Sequence, residues 1–192
     1  MARRTLLNIR EKILKSTIDI GASDGVENVT ARKIAQQCGI TDATVFVYFK
    51  TKENLLLKAY EYVNDWLSKT LETFNGGGEC VSSDEKWNIL FTWLVKNVSY
   101  TKYFCNYRHS GRKIPEGLWG QLQAGLCRAM VSNEKISVQM NQNDYLALWG
   151  NILESIAYYA ALVSEGKMEN TDSKCCLIRS LLFDAISIPQ VS

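Results

Sequence analysis

Proline is nearly missing from this 192-residue chain, which holds two, Pro115 and Pro189. Strand-type alternation is missing as well, so a sheet protein is excluded and the recurring three- and four-residue apolar spacing predicts an all-α fold. No run of 18 or more apolar residues occurs, which excludes a membrane-spanning helix. The opening Met1-Ala2-Arg3-Arg4 leads into the mixed stretch Thr5–Lys12, too charged for a secretory leader, so the expected compartment is the cytoplasm, with no membrane partner. Histidine occurs once, at His109, which leaves no second imidazole for a metal site or a catalytic pair. Six cysteines (Cys38, Cys80, Cys105, Cys127, Cys175, Cys176) form no C-x-x-C and read as reduced core thiols, with Cys175-Cys176 the pair left open to a redox role. There is no Gly-rich phosphate loop and no nucleophile with an evident base, so the expectation is a non-enzyme with no cofactor and no metal.

Charge is present but uneven. The net charge is +2, yet residues 1–58 carry ten Lys/Arg against six Asp/Glu, while residues 59–192 carry twelve against fourteen. A polyanion that meets only the first third of the chain is the simplest use of that asymmetry.

The helical pattern breaks at Asp24-Gly25, Gly39, Lys50-Thr51, Gly76-Gly77-Gly78, Ser110-Gly111, Asn141–Asn143 and Gly166. A first helix is expected over Leu6–Ser23, with Ile9, Ile13, Thr17 and Ile20 on one face. Thr30 caps a second helix that Gly39 stops, Thr41 caps a short third, and Thr51 opens a long fourth that runs to about Phe74. The Gly triplet reads as a flexible connection. Trp87, Leu90, Phe91, Leu94, Val95 and Val98 mark the next helix, and Pro115 suits the first turn of another. Two apolar helices close the chain, over Tyr145–Glu165 and Cys175–Ile188. The last is apolar around most of its circumference and needs cover that a second subunit can supply.

Thr30-Ala31-Arg32-Lys33-Ile34-Ala35-Gln36-Gln37-Cys38-Gly39-Ile40-Thr41-Asp42-Ala43-Thr44-Val45-Phe46 has the form of a helix-turn-helix. Gly39 permits the turn's backbone, Ile34, Ala35, Ile40 and Val45 join the helices, and small Ala35 sits where they cross. Thr41, Asp42 and Thr44 are left on the outer edge of the third helix, at the end that enters a major groove in this motif.

The wider pattern Gly25-x4-Thr30-x3-Ile34-Ala35-x3-Gly39-Ile40-Thr41-x3-Val45-Phe46-x-Tyr48-Phe49-x-x-Lys52-Glu53-x-Leu55 resembles the signature of TetR family regulators over roughly residues 8–58. The resemblance implies a three-helix DNA-binding domain at 1–50, a ligand-sensing and dimerisation domain at 51–192, and about nine helices in all. It implies a homodimer on a palindromic double-stranded operator, acting as a repressor that a small molecule releases. A ligand-independent architectural or adaptor protein of the same fold is the alternative. Arg32 is placed to meet either a base edge or a phosphate. Thr41, Asp42, Ala43 and Thr44 are the candidate base readers, Ala43 suiting a thymine methyl and Asp42 either a cytosine amino group or its own helix dipole. Thr30, Lys33, Tyr48 and Lys52 are expected on phosphates, and Arg3 and Arg4 on a disordered basic arm. Phe46 belongs to the DNA face but stands where the family commonly has tyrosine, which removes a hydroxyl. Gly21 and Val26 stand where aromatics usually pack, which predicts a thin head core.

For the body, the resemblance implies a ligand cavity walled by the middle helices and coupled to the head through the fourth helix, whose tilt alters the spacing of the two recognition helices. Trp93, Tyr107, Trp119 and Trp149 are the candidate lining residues. Leu153, Ala157, Ala161, Leu177, Ile178, Leu181 and Leu182 are the candidate dimer contacts. Tyr103–Lys113 mixes aromatics with cations and reads either as an anion-greeting segment or as a solvated loop.

Overall fold

The computed structural model describes residues 2–73, 82–130 and 142–183. The Gly76–Gly78 connection, Cys80, and the final turn expected to reach Ile188 lie outside these residues, as do the side chains of Arg3, Arg4 and Cys127. Every described regular element is helical: α1 Ala2–Ser23, a short 3-10 turn Val26–Asn28, α2 Ala31–Cys38, α3 Asp42–Phe49, α4 Lys52–Thr73, α5 Ser83–Lys96, α6 Val98–His109, α7 Glu116–Met130, α8 Gln142–Ser164 and α9 Asp172–Phe183. α1 begins at Ala2, so Arg3 and Arg4 extend that helix instead of forming the disordered arm expected from the sequence.

Helix starts follow local chemistry. Thr51 Oγ1 accepts from the Asn54 amide at 3.1 Å, which satisfies one of the donors that a helix start leaves orphaned. Ser82 and Glu85 form a reciprocal capping box at α5: the Glu85 amide donates to Ser82 Oγ at 3.3 Å, and the Ser82 amide donates to Glu85 Oε2 at 2.9 Å. The sequence pattern that runs through Val98 is broken at Asn97, and α6 begins there.

The chain packs as two compact units, Met1–Trp66 with Asn97–Ile114, and Leu67–Lys96 with Pro115–Ser192. The first unit is thus larger than the segment 1–50: it takes in most of α4 and all of α6. Its core joins Ile13, Leu14 and Ile18 of α1, Ile34 of α2, Val45 and Phe49 of α3, Leu56, Ala59 and Tyr60 of α4, and Tyr103, Phe104 and Tyr107 of α6, all buried. Segment 103–109 is therefore part of a packed helix and not the solvated loop that its cations suggested.

The thin head core expected from Gly21 and Val26 is also corrected. Val26 is buried, and the space that a side chain at position 21 would take is filled by Tyr103, whose ring carbon lies 2.5 Å from where a Cβ on Gly21 would stand. Tyr103 Oη donates to the Leu56 carbonyl at 2.9 Å, and burial pushes its phenol pKa up, which keeps that proton in place. Asn106 Nδ2 donates to the Gly21 carbonyl at 2.9 Å. The aromatic that α1 lacks is supplied by α6.

The second unit buries Trp87, Leu90, Phe91 and Leu94 of α5 with Leu122 and Leu126 of α7 and Trp149, Ile152, Leu153 and Ile156 of α8. α8 packs on both α5 and α7.

Candidate nucleic-acid interface

The local geometry of α2 and α3 follows residue by residue from the sequence. Thr30 is extended, and its hydroxyl oxygen accepts from the Lys33 amide at 3.2 Å. Gly39 ends α2 in the left-handed region at φ 68°, where other residues are strained, and the Ile40 amide turns back to the Ala35 carbonyl at 3.0 Å. Thr41 then caps α3, accepting from the Thr44 amide at 3.3 Å, and the two threonine hydroxyls lie 2.9 Å apart. Ile34, Ala35, Val45 and Phe49 close the inner side. Thr41, Asp42, Ala43, Phe46 and Val47 are exposed on α3, with Thr44 and Tyr48 half-buried at its edges.

Polar ties fix this motif to α1. Lys12 Nζ donates to the Cys38 carbonyl at 2.8 Å, an orphan acceptor at the end of α2, and Ser16 Oγ donates to Gln37 Oε1 at 2.6 Å. The Arg10 guanidinium lies 5.5 Å over the Phe49 ring.

α3 itself carries no cation; the neighbouring ones lie on α2 and at the corner into α4. Arg32 is exposed at the start of α2. Lys33 Nζ pairs with Asp24 at 2.7 Å, and this contact, with the Ser23 hydroxyl, holds the Asp24 carboxyl below its ordinary range. Lys52 Nζ donates to the Glu27 carbonyl at 2.7 Å, so Lys33 and Lys52 each have a protein partner that a phosphate would replace or share. The Glu27 carboxylate itself pairs with both guanidinium nitrogens of Arg112, Nη2 at 2.9 Å from Oε2. That hydrogen bonding holds the Glu27 carboxyl below its ordinary range.

Three features escaped the sequence reading. Lys50 has φ 63° and ψ −54°, and the Thr51 amide donates across it to the Phe49 carbonyl at 2.7 Å, a strained γ-turn. A lysine at an inter-helix corner signals exposure but not this geometry. Val47 is 77% exposed, although an isolated valine in a helical stretch reads as core. Asn64 is 2% exposed on the buried face of α4, and neither its amide nitrogen nor its oxygen has a hydrogen-bond partner among the described residues. Its place in the stripe Tyr60–Val63–Leu67 was the available signal.

The expected ligand residues divide between the two units. Tyr107 lies in the first unit, stacked on Tyr60 at 4.5 Å and on Tyr103 at 6.2 Å, so its faces are taken by core rings. Trp93, Trp119 and Trp149 belong to the second unit. Trp119 presses on α8 at Gly150, where a Cβ would come within 2.8 Å of its ring, and α5, which carries half-buried Trp93, packs against the same helix. The expected dimer residues also divide. Leu153 and Ala157 are 0% exposed within the single chain, so these two are core residues and not interface residues, because α8 turns that stripe toward its own unit. Ile178 is buried, Ala161 and Leu182 are half-buried, and Leu177 and Leu181 are 58% and 61% exposed. Cys38 and Cys105 are buried thiols as expected, whereas Cys176 is exposed and Cys175 half-buried.

Among the described residues no helix is long and apolar enough to cross a membrane, and no cluster of three His, Cys, Asp or Glu stands ready for a metal ion.

α2 and α3, joined through Gly39, form a helix-turn-helix. Residues 13–59 match the sequence profile of the bacterial regulatory proteins, tetR family. The HTH-type transcriptional regulator YerO of Bacillus subtilis is 42% identical over 53 residues, and the fatty acid metabolism regulator protein of the same organism is 32% identical over 50 residues. These stretches span 28% and 26% of this chain but only 18% and 26% of those relatives' lengths. A TetR family transcription regulator from Marinobacter aquaeolei has the same fold, with a TM-score of 0.73 at 24% identity over 96% of this chain and 98% of that one. FadR from Bacillus subtilis, in complex with stearoyl-CoA, gives a TM-score of 0.65 at 17% identity over 92% and 97%. Residues 13–59 thus carry the tetR-family signature, and the chain shares the fold of TetR family regulators of known structure.

Proposed function

We infer that the chain is a homodimeric repressor that holds a palindromic double-stranded operator through α3 and is released by a small molecule. The observation that carries the DNA reading is the α2–Gly39–α3 corner, which leaves one face of a capped helix exposed, with Arg32 and Lys33 on α2 and Lys50 and Lys52 at the corner into α4. Thr30 and Tyr48, with these cations, hold phosphates and set register, while Thr41, Asp42, Ala43, Thr44 and Phe46 face the groove. A second copy of the chain covers Leu177 and Leu181, one turn apart on α9, which are large apolar side chains exposed in the single chain.

Two observations support the ligand reading. A relative of the same fold holds stearoyl-CoA. Within the first unit, neither polar atom of the buried Asn64 side chain has a hydrogen-bond partner among the described residues, and a polar group that bonded it would gain about 1–3 kcal/mol. Trp93, Trp119 and Trp149 are the body's candidate apolar wall. α4 is continuous, with its first part in the first unit and its last turns in the second. A ligand that favours one tilt of α4 lowers DNA affinity, and DNA lowers ligand affinity by the same factor.

The test is selection of bound DNA from a random pool, followed by titration of the recovered site. A palindrome with half-sites about one helical turn apart is expected. Diffuse binding with steep salt dependence points instead to the architectural alternative. Operator affinity that every compound bound by the protein leaves unchanged removes the ligand-release step.

A further inference from the structure

The outward face of α3 is poor in groups that read bases by hydrogen bonds. Between Asp42 and Phe49 the helix carries one charge, the Asp42 carboxylate, and no cation. The Thr41 and Thr44 hydroxyls bond to each other, and Thr41 Oγ1 also accepts the Thr44 amide, so one hydroxyl proton remains between the two. What the face presents instead is apolar. Ala43 is exposed, Val47 is 77% exposed directly opposite buried Val45 and Phe49, and Phe46 is 46% exposed beside them. The nearest cations in the chain stand just outside α3, Arg32 and Lys33 in the first turn of α2 and Lys50 and Lys52 at the α3–α4 corner. An apolar ridge with cations in the adjoining elements complements a duplex groove, whose walls are phosphates and whose floor is apolar only where thymine C5 methyls project.

Resting on the DNA-binding reading above, we propose that α3 specifies its half-site chiefly through thymine methyls, with Val47 and Ala43 as the contacting side chains and Phe46 packing beside them. Ala43 and Val47 stand four residues apart, about 6 Å along the helix, close to two base-pair steps of about 3.4 Å. Each half-site therefore carries two thymines about two steps apart.

Deoxyuridine, which lacks only the methyl, tests this directly. The recovered site is made with each thymine of one half-site replaced in turn, and affinity is measured at fixed salt. Two positions are expected to lose about fourfold each. Val47→Ala weakens the unmodified site and removes the uracil penalty at one of those positions, and Ala43→Gly does the same at the other. Circular dichroism confirms that both variants remain folded. A specific site that tolerates uracil throughout, with Val47→Ala binding as tightly as the parent, overturns the proposal and gives the apolar face to a protein partner or a second copy. A penalty that persists in both variants assigns the methyl contacts elsewhere and overturns it too. Failure to recover any preferred sequence is a different result: there the specific-operator reading itself fails, and methyl readout fails with it.

Discussion

The two packing units are specified by different means. The unit containing the helix-turn-helix is held by particular atoms: a hydroxyl on an amide at Thr30 and at Thr41, a left-handed glycine at position 39, a lysine on the Cys38 carbonyl, a tyrosine on the Leu56 carbonyl. The unit containing α5, α7 and α8, apart from the Ser82–Glu85 cap and the Trp119–Gly150 approach, shows its core mainly as apolar stripes, where swaps of similar volume are tolerated best. Position-specific chemistry leaves a readable trace in a single sequence, whereas bulk burial leaves only a period.

The largest break in that comparison lies in the body. Leu153→Ala opens a cavity in a fully buried site and is expected to cost about 2–5 kcal/mol of stability in urea unfolding. Leu177→Ala, on an exposed position, changes single-chain stability by about 0.5 kcal/mol or less, and Leu177→Asp with Leu181→Asp shifts the protein toward monomer in sedimentation. A similar loss from Leu153→Ala and Leu177→Ala contradicts the division of those residues between core and interface.

Next comes Gly21→Val in the head. The new side chain meets the Tyr103 ring, and a loss of about 1–3 kcal/mol is expected. In a Tyr103→Ala background the same change is much milder, so a double-mutant cycle on thermal unfolding reports strong coupling. Additive effects refute the packing.

Smaller, and opposite in sign, is Lys50→Gly. Relief of a positive φ stabilises the fold by about 1 kcal/mol, read as a rise in Tm. It also removes a cation from the margin of the DNA face and lowers the salt slope of operator binding by about 1.

The smallest effect is in acid. Arg112 holds the Glu27 carboxyl below its ordinary value, so the pair's contribution is fully present above the unfolded glutamate value of about 4.3 and is lost as pH falls through the lower folded value. Arg112→Met is expected to flatten the part of the stability profile below that pH that belongs to Glu27. An unchanged acid limb dissociates the pair from stability.

The boundaries of α2 and α3 were legible in Thr30, Gly39 and Thr41 because each of those residues has few other reasons to stand there. α6 was not legible. The cations Arg108 within it and Arg112 and Lys113 just beyond its end suggested solvent, while Tyr103, Phe104 and Tyr107 share a face only if the segment is already taken as helical. Leu153 and Ala157 show the same limit in the body: α8 is apolar on two adjoining faces, and periodicity does not say which face a neighbour from the same chain will claim. Trp119 of α7 meets α8 at Gly150, a close approach that no local pattern in either helix announces.

Tyr103 in the notch at Gly21 carries a consequence for anyone who cuts or grafts this protein. The recognisable signature stops at residue 59, but the ring that completes its interior arrives some forty positions later in the chain. A fragment ending there would be left with an open slot on α1, and a chimera that transplants the signature onto a foreign body inherits a vacancy shaped for a tyrosine. The transferable module is a discontinuous one, the first helices together with α6.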